Sequence, residues 1–531
     1  MRSLLFIAIV ILGITGTYAQ GEANNWFFGF GAGLTFDSVT GTVTPTNAAL
    51  STISTNEGCS SISDVNGNLL FYSDGRNVWD ANHQIMPNAD YNNGTGLLGD
   101  PSSTSSALIV PRPGNLDQFY VFTVDEPHHM NGWAYPDQGP ANESGTSVGT
   151  YDDGATIPSG DDGYNNGLNY TLIDLSLNGG NGDADSAEKN VQLITYNTAD
   201  IEESKFKCSE KITAVEHADG QSYWLITQFI DTFYAFRIDA SGVNTTPVES
   251  LVSPIITTDG YRRNGIGYLK SSPDGGKLVV AHNENGTQQG QTAGGTGSAW
   301  MYDFDNSTGT VSNALLLEAG VSFYGVAFSQ DSKKVYLSGN NSVRQFDLDA
   351  TDISASKTIV FSGFSFIGAM QLAPNGKIYI CNTSNSQALD VINMPAAVGA
   401  ACGYQEDGQA LASGTASALG LPPFIQSFLV ANIQYENDCL GETTAFSVST
   451  SETVVDILWD FGDGQTSTLV NPSNTYNAAG NYTVQLVITT PNETQTFTTD
   501  VTIFESPTAN TPSNIDVCDD NNDGVFDFDF D

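Results

Sequence analysis

The chain has 531 residues, of which 60 are Asp or Glu and 17 are Lys or Arg, giving a formal charge of −43 at pH 7. This charge repels phosphate backbones and anionic lipid headgroups, so nucleic acid is not expected as a partner. Carboxylate oxygens are also ligands that Ca²⁺ prefers, so calcium binding stays open beside simple surface solubility. The length predicts more than one domain.

The first residues predict export. Arg2 precedes an apolar run from Leu4 to Ile14, and Thr17-Tyr18-Ala19 has the small residues of a cleavage site, so residues 1–19 are interpreted as a signal peptide. That run is short for a bilayer core of about 30 Å, and no later segment reaches about 18 apolar residues. We therefore expect a secreted or cell-surface protein with no membrane insertion.

A repeated turn-and-strand unit follows the signal peptide. In chain order its copies are SDVNGNLLFYS at Ser63, RPGNLDQFYVFT at Arg112, HADGQSYWLIT at His217, SPDGGKLVVAH at Ser272, SQDSKKVYLSG at Ser329 and APNGKIYICN at Ala373. Each places a tight turn before a short strand of β-branched and aromatic residues. The turns are mostly about 50 residues apart, which suits one four-stranded propeller blade per copy.

A further partial blade is predicted at the start of the domain, because LTFDSVTGTV at Leu34 nearly repeats YDFDNSTGTV at Tyr302. Its missing strands are expected from GLPPFIQSFLVANI at Gly420, so that first and last segments join. We predict an all-β protein with a roughly seven-bladed β-propeller over residues 24–432. Six or eight blades remain alternatives, because the long interval between Gly114 and Gly220 holds either one blade with an acidic insertion or two poorly matched blades.

Four stretches carry a family resemblance: GNLLFYSDGRNVWDANHQIMPN, SSTSSALIVPRPGNLDQFYVFTVDE, EKITAVEHADGQSYWLIT and GLPPFIQSF. Together they resemble the N-terminal propeller-like region of large surface proteins from gliding, type IX-secreting bacteria. The resemblance covers residues 24 to 432 and implies a location more than an activity. In such proteins further modules follow, and we expect this protein to continue beyond residue 531.

Residues 437–506 resemble a polycystic kidney disease (PKD) domain, because WDFGDG at Trp459, NPSNTY at Asn471 and AAGNYTVQLVI at Ala478 match its three signature segments in order. The resemblance implies an Ig-like β-sandwich, with Asn474 in place of the usual His. Trp459 is expected in the core. Asp460 and Asp463 are interpreted as turn residues, rather than catalytic or metal-binding carboxylates.

Residues 507–531 read as a linker and the start of another module, which contains a candidate calcium loop. Asp519, Asn521, Asp523 and Asp527 have the spacing of Ca²⁺ ligands, but Phe530 stands where a bidentate carboxylate belongs. The alternative is a solvated acidic turn. A second acidic cluster, consisting of Asp152, Asp153, Asp161 and Asp162, lacks ligand spacing.

No catalytic residue is predicted. His128 and His129 are adjacent, so on a strand they would face opposite sides, whereas His217 and His282 lie beside predicted strands and are interpreted as structural. Six cysteines lie far apart without a CxxC motif, and their pairing stays open, although Cys402 with Cys439 would close a short loop.

The sequence therefore predicts a protein that binds extracellular glycans or proteins in adhesion or surface attachment, with Ca²⁺ as the one candidate cofactor. The alternative is a polysaccharide- or lactone-processing enzyme with its site in the propeller channel and the PKD domain as a spacer. A structural stalk is a third reading.

Overall fold

The structure is a computed structural model that describes residues 21–37, 42–46, 50–125, 166–256, 264–285, 296–426, 432–449, 456–489 and 494–505. The chain forms two compact units. The first contains Met1–Asn432, Val448–Asp456 and Ile488–Gln495, and the second contains Ile433–Ser447, Ile457–Val487 and the residues from Thr496 onward. The helical elements of the described ranges are α1 (Ile201–Phe206) and the 3₁₀ turns Tyr91–Asn93, Asn178–Gly180, Ser354–Ser356 and Gly399–Cys402, and the single residues Asn264 and Gln426 are also helical. The prediction of an all-β protein is confirmed.

The first unit contains seven small antiparallel sheets within the described residues, and their strands follow one another along the chain. The first three sheets are β1 (Asn25–Phe28), β2 (Ala32–Phe36) and β3 (Val43–Pro45); β4 (Ser60–Ser63), β5 (Leu69–Ser73) and β6 (Val78–Asp80); and β7 (Leu108–Pro111), β8 (Gln118–Val124), β9 (Leu168–Asp174), β10 (Asp183–Ala184) and β11 (Val191–Leu193).

The next four sheets complete this unit. They are β12 (Ile212–Glu216), β13 (Tyr223–Phe229), β14 (Thr232–Asp239), β15 (Gly242–Val243) and β16 (Val248–Leu251); β17 (Leu269–Ser271), β18 (Lys277–His282), β19 (Ser298–Asp305) and β20 (Thr310–Ala319); β21 (Phe323–Phe328), β22 (Lys334–Gly339), β23 (Ser342–Asp347) and β24 (Thr358–Ser362); and β25 (Ile367–Leu372), β26 (Ile378–Asn382), β27 (Ala388–Ile392) and β28 (Tyr404–Ala410).

Each of the six repeated sequence units forms the turn between the first and second strands of one sheet, from the second sheet to the seventh. The turn between β17 and β18 shows the local cause. The Ser272 hydroxyl and the Gly276 N–H both donate to Asp274 Oδ1, at 2.5 and 3.0 Å, while Gly275 adopts a φ of 74°. A carboxylate that binds the turn, beside a glycine that tolerates positive φ, stops one strand and starts the next.

The first strands of the second to seventh sheets, β4, β7, β12, β17, β21 and β25, pack against one another in that order, and we call them the inner strands. Every residue of β21 and β25 is buried. Such strands are apolar on both faces, so they appear in the sequence as continuous hydrophobic runs rather than alternating patterns.

The first sheet also lies against the seventh. The Trp26 and Phe36 rings contact Tyr379 at centroid distances of 5.7 and 5.4 Å. Phe30 N–H donates to Ala416 O at 2.8 Å, and Ala369 N–H donates to Leu419 O at 2.8 Å. The first and last segments of this unit therefore meet, as expected. The expectation that whole strands come from the segment at Gly420 is wrong for residues 420–426, which form no strand.

The second unit contains two sheets in the described residues. Its strands are β29 (Asn432–Glu436), β30 (Thr444–Ser449), β31 (Asp456–Asp460), β32 (Thr466–Ser467), β33 (Ser473–Asn474), β34 (Gly480–Thr489) and β35 (Thr494–Ile503). One sheet has the order β29-β30-β33 and the other β32-β31-β34-β35. Trp459 is fully buried, and its ring lies 5.7 Å from that of Phe446, so it occupies the core as predicted.

Candidate functional site

Most of the buried charged side chains in the first unit lie at one face, where the inner strands begin, which we call the N-terminal face. In an antiparallel sheet with sequential strands, the connection from the second to the third strand also reaches this face, as does the connection to the next inner strand. The buried ionisable side chains on these connections, or at the strand ends beside them, are Glu57, Asp74, Arg76, Asp100, Asp125, Lys207, Glu210, Lys211, His282 and Glu284. Burying a charge is unfavourable unless it is paired, so this clustering requires specific partners.

Glu210 and Lys211 form the centre of this group, and both side chains are fully buried. Glu210 Oε2 accepts hydrogen bonds from the Thr104 N–H at 2.8 Å and from the Thr104 hydroxyl. Lys211 Nζ donates to the carbonyl oxygens of Asn264 and Gly265, at 3.1 and 2.6 Å. Three connections, those preceding β7, β12 and β17, are thereby joined by one acid and one base.

His282 and Tyr324 lie in the same buried region, and with Thr104, Glu210 and Lys211 we call them the buried polar cluster. His282 ends β18 with no accessible surface, and neither of its ring nitrogens has a hydrogen-bond partner in the structure. Burial lowers the pKa of His282 well below its usual value, and Lys211 lowers it further, so the imidazole is neutral. Burial likewise raises the pKa of the Tyr324 hydroxyl, and Glu57 adds to that effect.

The Glu210 carboxylate acts on the charge of Lys211. Burial lowers the pKa of the Lys211 ammonium group, and the Glu210 carboxylate opposes that shift. In this cluster the two ring nitrogens of His282 and the hydroxyl of Tyr324 have no hydrogen-bond partner in the structure. Within the described residues, no group of three or more His, Cys, Asp or Glu side chains is arranged to hold a metal ion.

A second polar group lies among the inner strands. Lys270 on β17 donates a hydrogen bond to the Gln371 side chain on β25, although β21 lies between these two strands in the packing order. The Lys270 ammonium nitrogen is 5.3 Å from the centroid of the Tyr268 ring. These side chains therefore meet in the space that the inner strands share.

The predicted calcium ligands Asp519, Asn521, Asp523 and Asp527 lie outside the described residues, and so does the signal peptide at residues 1–19. The same holds for His128, His129 and the second acidic cluster of Asp152, Asp153, Asp161 and Asp162. Calcium binding therefore stays a prediction.

Other sequence interpretations can be compared directly with the structure. His217 Nδ1 accepts the Asp219 N–H at 2.9 Å, and its ring stacks on Trp224 at 5.5 Å, which is a structural role. His282 instead belongs to the buried polar cluster. The described cysteines, among them Cys402 and Cys439, are free.

Asp460 and Asp463 in the second unit bind turns, as predicted. Asp460 Oδ1 accepts the Gly462 N–H at 3.0 Å, and Asp463 Oδ1 accepts the Gln465 N–H at 2.9 Å. The Asn474 side-chain amide donates to Asp463 Oδ2 at 2.9 Å, so the residue that departs from the family pattern still binds this turn.

Sequence reasoning missed Thr104, Glu210, Lys211 and Lys270. A signal was present, because Glu210 and Lys211 form an acid–base pair directly before the apolar strand β12. In a surface loop such a pair would be exposed, and only the meeting of several sheets buries it.

Comparison with known proteins identifies the second unit. Residues 430–504 match the PKD domain family model. The PKD1 domain of Vibrio anguillarum Epp is 35% identical over 14% of this chain and 93% of that structure, with a TM-score of 0.13. A microbial collagenase from Vibrio alginolyticus is 43% identical over 54 residues. That match covers 9% of this chain and only 7% of the collagenase.

The first unit has more distant structural neighbours. The β-propeller domain of Myceliophteria thermophila Cps50 (Swd1) is 13% identical over 68% of this chain and 93% of that structure, with a TM-score of 0.36. None of the helices in the described ranges is long and apolar enough to cross a membrane.

Proposed function

We propose that this chain, whose residues 430–504 are a PKD domain, is a secreted or cell-surface protein that attaches to extracellular glycans or proteins. PKD domains occur in extracellular proteins such as proteases and adhesins, which supports the location. The signal peptide at residues 1–19 and the type IX export route implied by the family resemblance belong to the same proposal.

The proposal includes a seven-bladed β-propeller over residues 24–432, followed by the PKD sandwich at 437–506 and a further module from 507. The seven sheets, six of which have inner strands that pack against one another in sequence, support the seven-bladed form over six or eight blades. The first sheet has three strands, and the bridge of Phe30 to Ala416 lies where its inner strand would be. Propellers present loops on a rigid scaffold, which suits a binding role.

The observation that carries the proposal is a group of exposed apolar side chains at the N-terminal face. Phe364, between β24 and β25, is fully exposed, and Leu251 and Ile255 at the end of β16 are largely exposed. Strand β8 ends at Val124 and strand β9 begins at Leu168 at this same face, and a long stretch of sequence separates them. Exposed apolar groups beside long connections are typical of interaction surfaces.

The opposite face also exposes apolar side chains, among them Leu116, Met394 and Val398, and it differs in its charged side chains. There, charged side chains near the strand ends pair within one sheet: Arg237 with Asp219 at 2.9 Å, Lys334 with Asp347 at 2.9 Å and Lys277 with Asp303. Such pairs maintain solubility and add little affinity for a partner. We place recognition at the N-terminal face, which carries the fully exposed Phe364 ring.

The test is binding of the full chain to a glycan array and to a panel of immobilised extracellular proteins, in Ca²⁺ and in EDTA. Phe364→Ser and Ile255→Ser are expected to weaken binding at least tenfold, whereas Leu116→Ser, an exposed leucine in the β7–β8 turn at the opposite face, leaves it unchanged. Absence of binding to both panels, or equal loss in the Leu116 variant, would contradict the proposal. The EDTA arm separately tests the calcium prediction.

A second candidate function is that of a polysaccharide- or lactone-processing enzyme, and the buried polar cluster favours this candidate. Glu210, Lys211 and His282 bring an acid, a base and a neutral imidazole into one region with shifted pKa values for Lys211 and His282, which is the usual setting of acid–base chemistry. The test incubates the full chain with polysaccharides and lactones and detects products by NMR. Product release that Glu210→Gln abolishes would establish it, and no release from any substrate would exclude it for the compounds tested.

A further inference from the structure

We propose, on the basis of the binding function proposed above, that the ligand of the N-terminal face is a neutral glycan whose sugar rings stack on Phe364 and Phe30. A neutral glycan is one without carboxylate, sulfate or phosphate groups. Three features of this face support the assignment: its distribution of charge, its two exposed aromatic rings and the hydrogen bonds that hold the connections around them.

One part of the N-terminal face is free of charged side chains in its described segments. These segments, which we call the uncharged sector, are the connections at residues 50–56, 320–322, 340–341, 363–366, 383–387 and 411–419. They follow one another from the fifth sheet through the seventh and the first to the second. Of the whole chain 15% is charged, and other connections at this face contain Asp200, Glu210 and Asp231. A charged ligand would therefore lose its hydration in this sector without gaining a partner of opposite charge.

The exposed aromatic rings of the first unit, within its described residues, lie at this sector. Phe364 is fully exposed and Phe30 is 47% exposed. Phe30 lies in the β1–β2 turn and pairs with Ser54 and Ala416, which belong to the sector. The face of an aromatic ring carries partial negative charge, so it attracts the weakly positive C–H groups on the flat side of a sugar ring.

The connection that carries Phe364 is held from both sides. The Gly363 N–H donates to Asn341 O at 2.8 Å, and the Asn341 side-chain amide donates back to Gly363 O at 2.5 Å. On the other side, the Thr383 N–H and hydroxyl both donate to Phe366 O, at 3.1 and 2.9 Å. Phe364 is therefore presented on a fixed backbone, which reduces the entropy that binding would cost.

Further hydrogen bonds connect this region to Phe30. The Ser417 N–H donates to the carbonyl oxygen of Ser386, in the β26–β27 connection, at 2.8 Å. The adjacent residue Ala416 exchanges two backbone hydrogen bonds with Phe30, at 2.8 and 3.2 Å. The connections of Phe364 and Phe30 therefore form one continuous hydrogen-bonded rim, which suits an extended chain of sugar units.

The side chains around the two rings are hydroxyls and amides. Exposed examples are Thr52, Asn56, Asn340, Ser384, Ser386 and Gln387. Such groups both donate and accept hydrogen bonds, as sugar hydroxyls do, whereas the core of a protein interface is more continuously apolar. A sugar matches the combination, because its ring has an apolar face and a hydroxyl edge. Anionic glycans are disfavoured by the chain's formal charge of −43.

The first experiment measures binding of the full chain to hexasaccharides of glucose, mannose, galactose and N-acetylglucosamine, with hexasaccharides of glucuronate and galacturonate as the anionic arm. We expect binding in the neutral arm alone. Phe364→Leu keeps an apolar side chain without a ring and should weaken binding by about tenfold or more, whereas Phe364→Trp should retain it. Both variants should keep the melting temperature of the wild type, because Phe364 is fully exposed.

The second measurement needs no variant. Crystals of the wild-type protein soaked in the tightest-binding neutral hexasaccharide should show a sugar ring within about 4 Å of the Phe364 ring.

Three results would overturn the glycan assignment: uronates bound as tightly as the neutral sugars, equal affinity of the wild type and Phe364→Leu, or a soaked sugar located away from Phe364. Binding to the immobilised extracellular proteins without binding to any hexasaccharide would also overturn it, and would leave the binding function in place. Absence of binding to both panels would contradict the two proposals together.

Discussion

Thr104 donates both its backbone N–H and its hydroxyl to one carboxylate oxygen of Glu210, 106 residues further along the chain. Each residue precedes an inner strand, β7 and β12 respectively, so the contact joins the beginnings of two neighbouring sheets. Lys211 extends the connection to β17 through the carbonyl groups of Asn264 and Gly265. Polar contacts therefore hold together the centre of the N-terminal face.

Thr104→Val removes the hydroxyl and keeps the shape of the side chain. Because Glu210 remains buried with one donor fewer, we expect a loss of about 1–3 kcal/mol in the free energy of unfolding. Chemical denaturation of the full chain, with hydrogen exchange of peptides from β7 and β12, checks this. Thr104→Ser retains the hydroxyl and should stay near wild type. A valine variant as stable as the wild type would show that Glu210 has other sufficient partners.

Gly420→Ala should disturb the contact between the last segment of the first unit and the residues before β4. An added Cβ would lie 1.6 Å from the Glu57 carbonyl oxygen, so one backbone must move. We expect a lower melting temperature, with destabilisation of about 2 kcal/mol or more, as in other overpacked sites. The control is Gly276→Ala, whose Cβ would meet nothing closer than 3.7 Å. Equal stability of the two variants would contradict the packing described here.

Glu22→Gln tests a pH dependence. Burial raises the pKa of Glu22 from 4.5 to about 7, with a smaller contribution from Asp64, so the folded state holds this proton more tightly than the unfolded state. The stability due to Glu22 is therefore fully present below pH 4.5 and is lost as the pH rises to about 7.

The Glu22→Gln variant should lack this decline and be more stable than the wild type at pH 8 by about 1–3 kcal/mol. Urea denaturation at pH 5 and pH 8 measures both proteins. Parallel pH profiles would show that Glu22 does not titrate in this range.

Trp459→Ala should unfold the PKD domain first. The indole is fully buried, and its N–H donates to Leu469 O at 3.0 Å, so the truncation leaves a cavity and removes a hydrogen bond. A loss of about 3–5 kcal/mol is expected, and Trp459→Phe should fall between this value and wild type. Leu458→Ala, on the exposed side of the same strand, is the control. Calorimetry should show the transition of this domain alone shifting, and an unshifted profile would contradict the prediction.

The sequence predicts those parts of the fold that depend on neighbouring residues. The turn of Asp274 with Gly275 and the strand after it are specified within a few positions, so these turns could be placed correctly between strands. Asp463 could be interpreted as a turn residue for the same reason. The number of strands at Gly420 could not be predicted, because pairing there depends on the first sheet.

The buried polar groups of the candidate site were harder to predict from the sequence than the fold. Glu210 and Lys270 are charged residues, which are exposed in most proteins, and nothing adjacent to them indicates burial. Their environment is created by Thr104 in one case and Gln371 in the other, each about 100 residues away. Only the folded structure, in which residues far apart in the sequence come together, shows that these charges lie in the interior.

The contacts of residues 416–419 also affect the order in which the chain can fold as it is synthesised. Leu419 provides a hydrogen-bond acceptor to Ala369, and Ala416 pairs with Phe30 of the first sheet. These contacts of the first sheet can therefore form only after almost the whole first unit has been synthesised. During that interval its backbone edge remains available to other chains. The risk of misassembly is therefore concentrated before residue 419 appears, and a slow step in translation or translocation at that point would prolong it.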